Sequence, residues 1–248
     1  MIEVAFAAAD GIQLDGALHP ASGPERGAVV MAHGITADRD EVGLFVALGA
    51  RLAAEGFTAL RFSFRGHGRS GGSPRGMRIS GECLDSEAAV AYLRSVTSSP
   101  LSIVASSFGT VSTVLTRPSA AGLVLWNPVL DLRRTFLEPE LPRGLELYGA
   151  GPGEKGYVSI RGFELDAALF DEFACHDPRE AFLRSDMPAL VIHGDSDRHV
   201  SYEIAREAAL SRPRTEFHTV VGADHGFPLD REAVVDRTVG WLGRVGGS

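Results

Sequence analysis

Short apolar runs alternate with longer amphipathic stretches along most of the 248-residue chain. The apolar runs are rich in β-branched side chains and nearly free of polar positions, which is typical of strands buried on both faces of a sheet. Such strands are predicted at Ala28–Ala32, Thr58–Phe64, Leu101–Ala105, Gly122–Trp126, Ala189–His193 and Glu216–Val221.

The stretches between these strands carry apolar residues three and four positions apart, as amphipathic helices do. Helices are predicted at Glu41–Glu55, Gly81–Val96, Ser107–Thr116, Tyr202–Leu210 and Arg231–Leu242. Strands that alternate with helices favour a mostly parallel sheet with crossover helices on its faces. The expected fold class is therefore α/β, and the length fits a single domain spanning residues 1–248.

Two parts of the chain depart from this alternation. Near the start, Ile2–Ala8 and Ile12–His19 flank Asp10-Gly11, a turn signal that predicts an antiparallel hairpin at the edge of the sheet. Residues 131–185 are rich in glycine, proline and scattered aromatic residues, and they are longer than a crossover needs. Because long insertions in compact domains are commonly functional, we predict that this segment is an inserted lid.

Composition narrows the class of partner. The formal net charge of −8 argues against nucleic acid, since binding to a phosphate backbone requires clustered basic residues. No segment has the roughly 18 consecutive apolar residues of a membrane span, and residues 1–9 lack the features of a secretory signal. Cys83 and Cys175 lack the spacing of a metal or redox site. We therefore expect a cytoplasmic protein without a metal.

The clearest chemical motif lies between the strand at Leu101–Ala105 and the helix that follows. It places Ser107 between Ala105 and Gly109, which are small residues two positions away on either side. A serine on such a sharp strand-to-helix turn has its hydroxyl lifted clear of the sheet, and only small neighbours leave room for the turn. The motif predicts a nucleophile elbow, although a serine that only caps the helix would give a similar pattern.

A nucleophilic serine needs a histidine to take its proton and a carboxylate to orient that histidine. The strand at Ala189–His193 runs into a loop that carries Asp195 and Asp197; we predict Asp197 as the acid and Asp195 as a turn residue. The last strand runs into Gly222–Phe227, where we predict His225 as the base. Both loops are expected at the carboxyl end of the sheet, where Ser107 also lies.

The remaining histidines are expected to have structural roles. His33, His67 and His193 each precede a glycine at a strand end or in a turn, where an imidazole can brace a loop by hydrogen bonding. His199 follows the predicted acid too closely in the chain to lie across from the serine. His225 is therefore the only histidine that we predict as a base.

The first central strand ends in a turn that contains Gly34. This His-Gly turn resembles the oxyanion loop of serine hydrolases, and the resemblance implies that the backbone amides of Ile35 and Phe108 form an oxyanion hole for a tetrahedral intermediate. Gly34 and Gly109 are the small residues that the loop and the elbow require.

Together these motifs resemble the α/β-hydrolase superfamily over nearly the whole chain, and the order serine, aspartate, histidine is that of its triad. The compact size and the inserted segment are similar to the cinnamoyl and feruloyl esterase-like carboxylesterases and to related acyl thioesterases. Arg65–Ser70 resembles the loop after the second central strand in many members. That loop usually carries an aspartate two residues before the arginine. Ser63 stands there, so we expect a supporting carboxylate to be missing.

The motifs and the resemblance predict a serine hydrolase that cleaves a small-molecule carboxylic ester through an acyl-enzyme on Ser107, without a cofactor. One alternative is an acyl thioesterase or acyltransferase whose partner is coenzyme A or an acyl carrier protein. Another is a non-catalytic ligand-binding protein on the same fold. The sequence leaves the formation of a homo-oligomer open.

Overall fold

The computed structural model describes residues 1–245. In chain order its strands are β1 (Ile2–Ala7), β2 (Gln13–His19), β3 (Gly27–Ala32), β4 (Phe57–Phe62), β5 (Leu101–Ser106), β6 (Gly122–Trp126), β7 (Tyr157–Ile160), β8 (Phe163–Asp166), β9 (Ala189–Gly194) and β10 (Thr215–Val220). Its α-helices are α1 (Leu44–Ala54), α2 (Ile79–Val96), α3 (Gly109–Thr116), α4 (Pro142–Tyr148), α5 (Ala167–Phe173), α6 (Pro178–Leu183), α7 (Tyr202–Leu210) and α8 (Arg231–Val245). Every helix in this range is too short or too polar to cross a lipid bilayer.

Eight of the strands form one sheet in the order β1-β2-β4-β3-β5-β6-β9-β10, and β7 and β8 form a separate hairpin. Only β2 runs against its neighbours, because it pairs antiparallel with both β1 and β4 while the pairings from β4 to β10 are parallel. The β1–β2 turn is closed by a hydrogen bond from the Gly11 amide to the Ala8 carbonyl. The predicted mostly parallel sheet with an antiparallel hairpin at its N-terminal edge is thus confirmed.

The core lies on both faces of the sheet because side chains alternate along each buried strand. In β3, Val30 packs towards α2 and α3, whereas Val29 packs towards α1 and α8. Leu93 fills the first of these layers, and Phe45 and Trp241 fill the second, each with at most 2% of its surface exposed. Both faces of the sheet are therefore covered by largely apolar layers.

The helix predicted at Glu41–Glu55 begins three residues later than expected. Glu41 and Val42 have φ values of 45° and 53°, in the left-handed region, so they form a tight turn before α1 starts at Leu44. The apolar spacing predicts helix α1 itself correctly. The turn before it directs the Glu41 side chain towards the end of the sheet instead of along the helix surface.

The strand predicted at Thr58–Phe64 ends at Phe62 instead. The amide of Phe64 donates to Nε2 of His33 at 2.9 Å rather than to a neighbouring strand. The imidazole of His33, just after β3, thus accepts the amide of Phe64 and ends β4. The apolar pattern of the sequence does not show where such a side-chain hydrogen bond ends a strand.

The segment 131–185 contains short regular elements that the sequence pattern does not predict. A π-helical turn at Arg133–Leu137 is followed by α4, the β7–β8 hairpin, α5 and α6. Elements of four to seven residues are too short to show a helical or strand period. Phe136 and Phe173 stack on each other and contact the ring of Phe108 beside the predicted nucleophile. In contrast, α6 packs against α3, and its Phe182 belongs to the core of the sheet.

Gly109→Ala is expected to destabilise the fold strongly. An added Cβ would lie 2.4 Å from the carbonyl oxygen of His33 and 2.6 Å from that of Ala32. These are backbone atoms that cannot rotate away, so we expect the free energy of unfolding in urea to fall by about 3 kcal/mol. Gly240→Ala is the matched control, because nothing lies within 4 Å of its added Cβ and alanine favours helix α8. Equal unfolding free energies for the two variants would contradict the close approach.

Candidate active site

The structure brings together the three side chains that the sequence analysis selects, although they are far apart in the chain. Nε2 of His225 lies 3.0 Å from Oγ of Ser107, and Nδ1 of His225 lies 2.8 Å from Oδ2 of Asp197. With a neutral imidazole, the serine hydroxyl donates to Nε2 and the Nδ1 proton is donated to the carboxylate. The result is one continuous chain of hydrogen bonds from carboxylate to hydroxyl.

Ser107 sits on a strained turn between β5 and α3. Its φ is 50°, in the left-handed region that a residue with a side chain rarely adopts. The strain persists because the serine backbone is held at both ends: its amide donates to the Trp126 carbonyl at 2.8 Å, and its carbonyl accepts from the Val129 amide at 3.2 Å. The hydroxyl is therefore held in one place above the sheet.

Asp197 is buried and fully engaged. Its Oδ1 accepts the amides of His199 at 2.8 Å and Val200 at 3.0 Å, and its Oδ2 faces both His225 and Nε2 of His193 at 3.3 Å. Burial alone would raise the pKa of Asp197, but the adjacent charge on His225 and these hydrogen bonds outweigh it and hold the pKa well below its usual range. The carboxylate stays ionised and fixed in orientation.

Asp195 has the structural role that the sequence analysis predicts for it. It is exposed, and its Oδ1 accepts the Gly222 amide at 2.6 Å, which ties the loop after β9 to the loop after β10. A second tie joins the same two loops: Arg198 donates from its amide at 3.0 Å and from Nε at 2.9 Å to Asp224. These contacts set the distance between Asp197 and His225.

The charges around His225 favour its protonated form. Burial lowers the pKa of His225, but the charge of Asp197 and its hydrogen bond, with smaller contributions from Glu41 and Asp224, outweigh burial and raise the pKa above its ordinary value. His199, which the sequence analysis sets aside, stacks on the His225 ring with centroids 4.8 Å apart. Burial and the charge of His225 lower the pKa of His199 to about 4.

Two backbone amides beside Ser107 lack acceptors. Within residues 1–245, neither Ile35 nor Phe108 donates its amide to another protein group. His33 stabilises the loop that carries Ile35. Its Nδ1 lies 2.8 Å from the Gly34 carbonyl oxygen, and its Nε2 accepts a hydrogen bond from the Phe64 amide. These two amides are the ones predicted for an oxyanion hole.

Glu41 lies at the site although the sequence does not predict it there. Its Oε2 accepts the Gly34 amide at 2.9 Å and its Oε1 accepts the Ser106 hydroxyl at 2.8 Å, so a carboxylate does support the loop after β3. At the position where we expect a carboxylate to be missing, Ser63 accepts the Arg39 amide at 3.1 Å. The only signal for Glu41 is an acidic residue seven positions after Gly34, where the apolar pattern already favours a helix.

A pocket opens beside these groups and is bounded by two parts of the chain. Ser107, His225, Glu41 and the loop at 34–37 form its floor. The segment 131–185 supplies the opposite wall through Thr135, Phe136, Leu147, Tyr148, Ile160 and Arg161. Phe136, Leu147 and Ile160 make part of this wall apolar, and Thr135, Tyr148 and Arg161 add polar groups to it, so the serine hydroxyl faces a space with both apolar and polar surfaces.

Comparison with known proteins agrees with this architecture. The alpha/beta hydrolase family model matches residues 29–237. The chain belongs to the α/β-hydrolase family. No curated protein matches it in sequence. The resemblance to this superfamily predicted from the motifs is therefore confirmed.

Several solved α/β-hydrolases share the fold at low sequence identity. Est1E from Butyrivibrio proteoclasticus with ferulic acid bound is 20% identical, with a TM-score of 0.85 over 98% of this chain and 99% of that chain. The Pyrococcus furiosus esterase Pf2001 is 20% identical, with a TM-score of 0.75 over 99% of this chain and 91% of that chain. The esterase domain of a Rhodothermus marinus protein has a TM-score of 0.75 and 20% identity, over 99% of each chain.

In this α/β-hydrolase we expect His225 and His199 to titrate on opposite sides of 6.5, the ordinary value for histidine. As the pH falls, His225 takes its proton first because its pKa is raised, and burial together with that positive charge lowers the pKa of His199 to about 4. A pH titration of the imidazole NMR signals, assigned with His199→Gln, measures both midpoints. Two equal midpoints would contradict these electrostatics.

Proposed function

We propose that the protein is a serine hydrolase that cleaves carboxylic esters through an acyl-enzyme on Ser107. The observation that carries the proposal is the unbroken chain of hydrogen bonds from Asp197 through His225 to Ser107. A hydroxyl is a weak nucleophile at neutral pH, and this arrangement supplies the base that activates it. The pocket beside the hydroxyl, whose wall is partly apolar, and the two amides without acceptors support the same conclusion.

In the first half of the reaction, Oγ of Ser107 attacks the ester carbonyl carbon while Nε2 of His225 takes the hydroxyl proton. The carbonyl oxygen becomes an oxyanion, and the amides of Ile35 and Phe108 stabilise it by hydrogen bonds. When the intermediate collapses, the imidazolium of His225 returns its proton to the departing alkoxide. An alcohol leaves and the acyl group stays on Ser107.

In the second half, a water molecule replaces the alcohol. His225 takes a proton from the water as the water oxygen attacks the acyl carbon, and the same two amides hold the oxyanion again. Collapse breaks the bond to Ser107, whose oxygen recovers the proton from His225, and a carboxylic acid leaves. Asp197 stays ionised throughout and stabilises the imidazolium in both halves.

We further propose that the chain is one catalytic domain in which residues 131–185 form a lid over the pocket. Phe136 and Tyr148 from this segment line the pocket, and Phe136 also contacts Phe108 beside the nucleophile. A cover of this kind excludes water from the acyl group, which strengthens the hydrogen bonds to the oxyanion. Ferulic acid is bound to Est1E, a protein of similar fold, so esters of aromatic acids are suitable substrates to test after the short-chain p-nitrophenyl esters below.

Ser107→Ala is expected to abolish ester hydrolysis, a loss of about 10⁶-fold in kcat, because it removes the hydroxyl that is hydrogen-bonded to His225. The measurement is release of p-nitrophenol from p-nitrophenyl acetate and butyrate, with a pre-steady-state burst in the wild type. Labelling by a fluorophosphonate probe, read as a mass increase on Ser107, is the second readout.

Ser102→Ala is the control, since Ser102 lies within β5 and does not line the pocket. Turnover in Ser107→Ala at the wild-type rate would refute the acyl-enzyme. A wild type that binds esters tightly without turnover or labelling would favour the ligand-binding alternative. Matched oxygen esters and thioesters of one acyl group decide the leaving group, and a strong preference for thioesters would replace the ester proposal by the thioesterase alternative.

Asp197→Asn and Asp195→Asn are expected to differ sharply. The Asp197 change removes the charge that stabilises the imidazolium and disturbs the tautomer of His225, so we expect kcat to fall by about 10⁴-fold. Asp195→Asn keeps an oxygen that can accept the Gly222 amide and should stay near the wild-type rate. Steady-state hydrolysis of the same p-nitrophenyl ester compares them. A larger loss in Asp195→Asn than in Asp197→Asn would reverse the assignment of the acid.

A further inference from the structure

Gly34 lies in close contact with Ser107, and as a glycine it restrains its own backbone less than any other residue would. A Cβ on Gly34 would lie 3.1 Å from Cβ of Ser107, so a larger residue there would push the loop after β3 away from Ser107 by a few tenths of an ångström. Glycine, however, has the largest conformational freedom of any residue. The next amide in the chain is that of Ile35, which the proposed reaction uses to hold the oxyanion. Something must therefore hold the backbone on each side of Gly34.

The peptide that follows Gly34 is held by His33. The carbonyl oxygen of Gly34 lies 2.8 Å from Nδ1 of His33, and it also accepts the Ala37 amide at 3.2 Å. In a trans peptide the carbonyl and the next amide point in opposite directions. By fixing the Gly34 carbonyl, His33 fixes the direction in which the Ile35 amide points.

The peptide that precedes Gly34 is held by Glu41. Oε2 of Glu41 accepts the Gly34 amide at 2.9 Å, and Oε1 accepts the hydroxyl of Ser106 at 2.8 Å. Ser106 is the last residue of β5 and directly precedes the nucleophile. One carboxylate therefore joins the loop that carries one oxyanion donor to the strand that carries the serine and, after it, the second donor, Phe108.

The backbone around Glu41 shows that this placement is imposed. Glu41 and Val42 both have left-handed φ values, which residues with side chains adopt only when surrounding contacts determine them. In a helix that began at Glu41, the side chain would lie on the helix surface. In the observed turn it reaches under the loop at 34–37 and lines the pocket beside Ser107.

We propose that Glu41 is a positioning residue that sets the distance between the two donors of the oxyanion hole. It does so by bridging the Gly34 amide and the Ser106 hydroxyl. The inference rests on the proposed function. Glu41 is expected to affect kcat more than KM. The two amides bind the oxyanion of the transition state more strongly than the uncharged carbonyl of the bound ester.

Glu41→Ala, Glu41→Gln and Ser106→Ala test the bridge in the full-length protein. The alanine change at position 41 removes both bonds, and we expect kcat for p-nitrophenyl butyrate to fall about 10²-fold with KM little changed. Glutamine keeps both bonds, with its oxygen towards Gly34 and its amide nitrogen towards Ser106, so it should restore most of kcat. Ser106→Ala removes one bond and should cost about tenfold.

Glu203→Ala is the matched control, since Glu203 is exposed in α7 and lies outside the pocket. Thermal melting of each variant separates a loss of kcat from unfolding. Wild-type kcat in both Glu41→Ala and Ser106→Ala would overturn the inference, and so would a glutamine variant as slow as a folded alanine variant. If Glu41→Ala does not fold, Ser106→Ala decides: an unchanged kcat overturns the bridge, and a fall at constant KM supports it.

Failure of this inference is distinct from failure of the proposed function. The wild type and Glu203→Ala must hydrolyse the ester, and Ser107→Ala must not, before the Glu41 variants are compared. If the wild type is inactive, the proposed function fails. If it is active and the Glu41 and Ser106 changes have no effect, the proposed function stands and the bridge alone is wrong.

Discussion

The site depends on the close approach of the turn between β5 and α3, the proposed nucleophile elbow, to the end of β3. Gly109 packs against the carbonyls of Ala32 and His33, and Gly34 packs against Ser107, with no room for a Cβ in the first contact and little in the second. This contact places the start of α3 beside the loop after β3, so two free amides come to lie next to one hydroxyl. A larger residue at position 109 would force apart the elements that carry these groups, and one at position 34 would shift them by a few tenths of an ångström.

The parts of the fold that could be predicted from the sequence are those set by long-range burial. The central strands are apolar because both of their faces are covered, and parallel strands bring their carboxyl ends to one edge of the sheet. Ser107 and Asp197 each follow such a strand closely, and His225 follows the edge strand β10, whose carboxyl end lies at the same edge of the sheet, so the three could be selected together. The ends of strands and helices were less predictable. A single side-chain hydrogen bond, such as that from the Phe64 amide to His33, ends a strand without changing its apolar pattern.

The residues that sequence reasoning missed are placed by local backbone geometry or by contacts between distant loops. Glu41 reaches the site only because of a left-handed turn at a position where the hydrophobic period continues as if in a helix. His199 is close to Asp197 in the chain, but its stacking on His225 depends on how two loops are tied by Arg198 and Asp224. Neither geometry leaves a periodic trace in the sequence.

Two different segments of the chain, the loops at the end of the sheet and residues 131–185, together line the pocket. The groups that would act on the ester lie on loops at the end of the sheet, whereas much of the opposite wall comes from residues 131–185. Phe136, Leu147 and Ile160 in that wall make none of the hydrogen bonds that hold the loops at the end of the sheet. Under the proposed function, substitutions in the wall would change which acyl or alcohol group is accepted during evolution while Ser107, Asp197 and His225 keep their geometry. The same separation makes the wall the natural place to redesign selectivity.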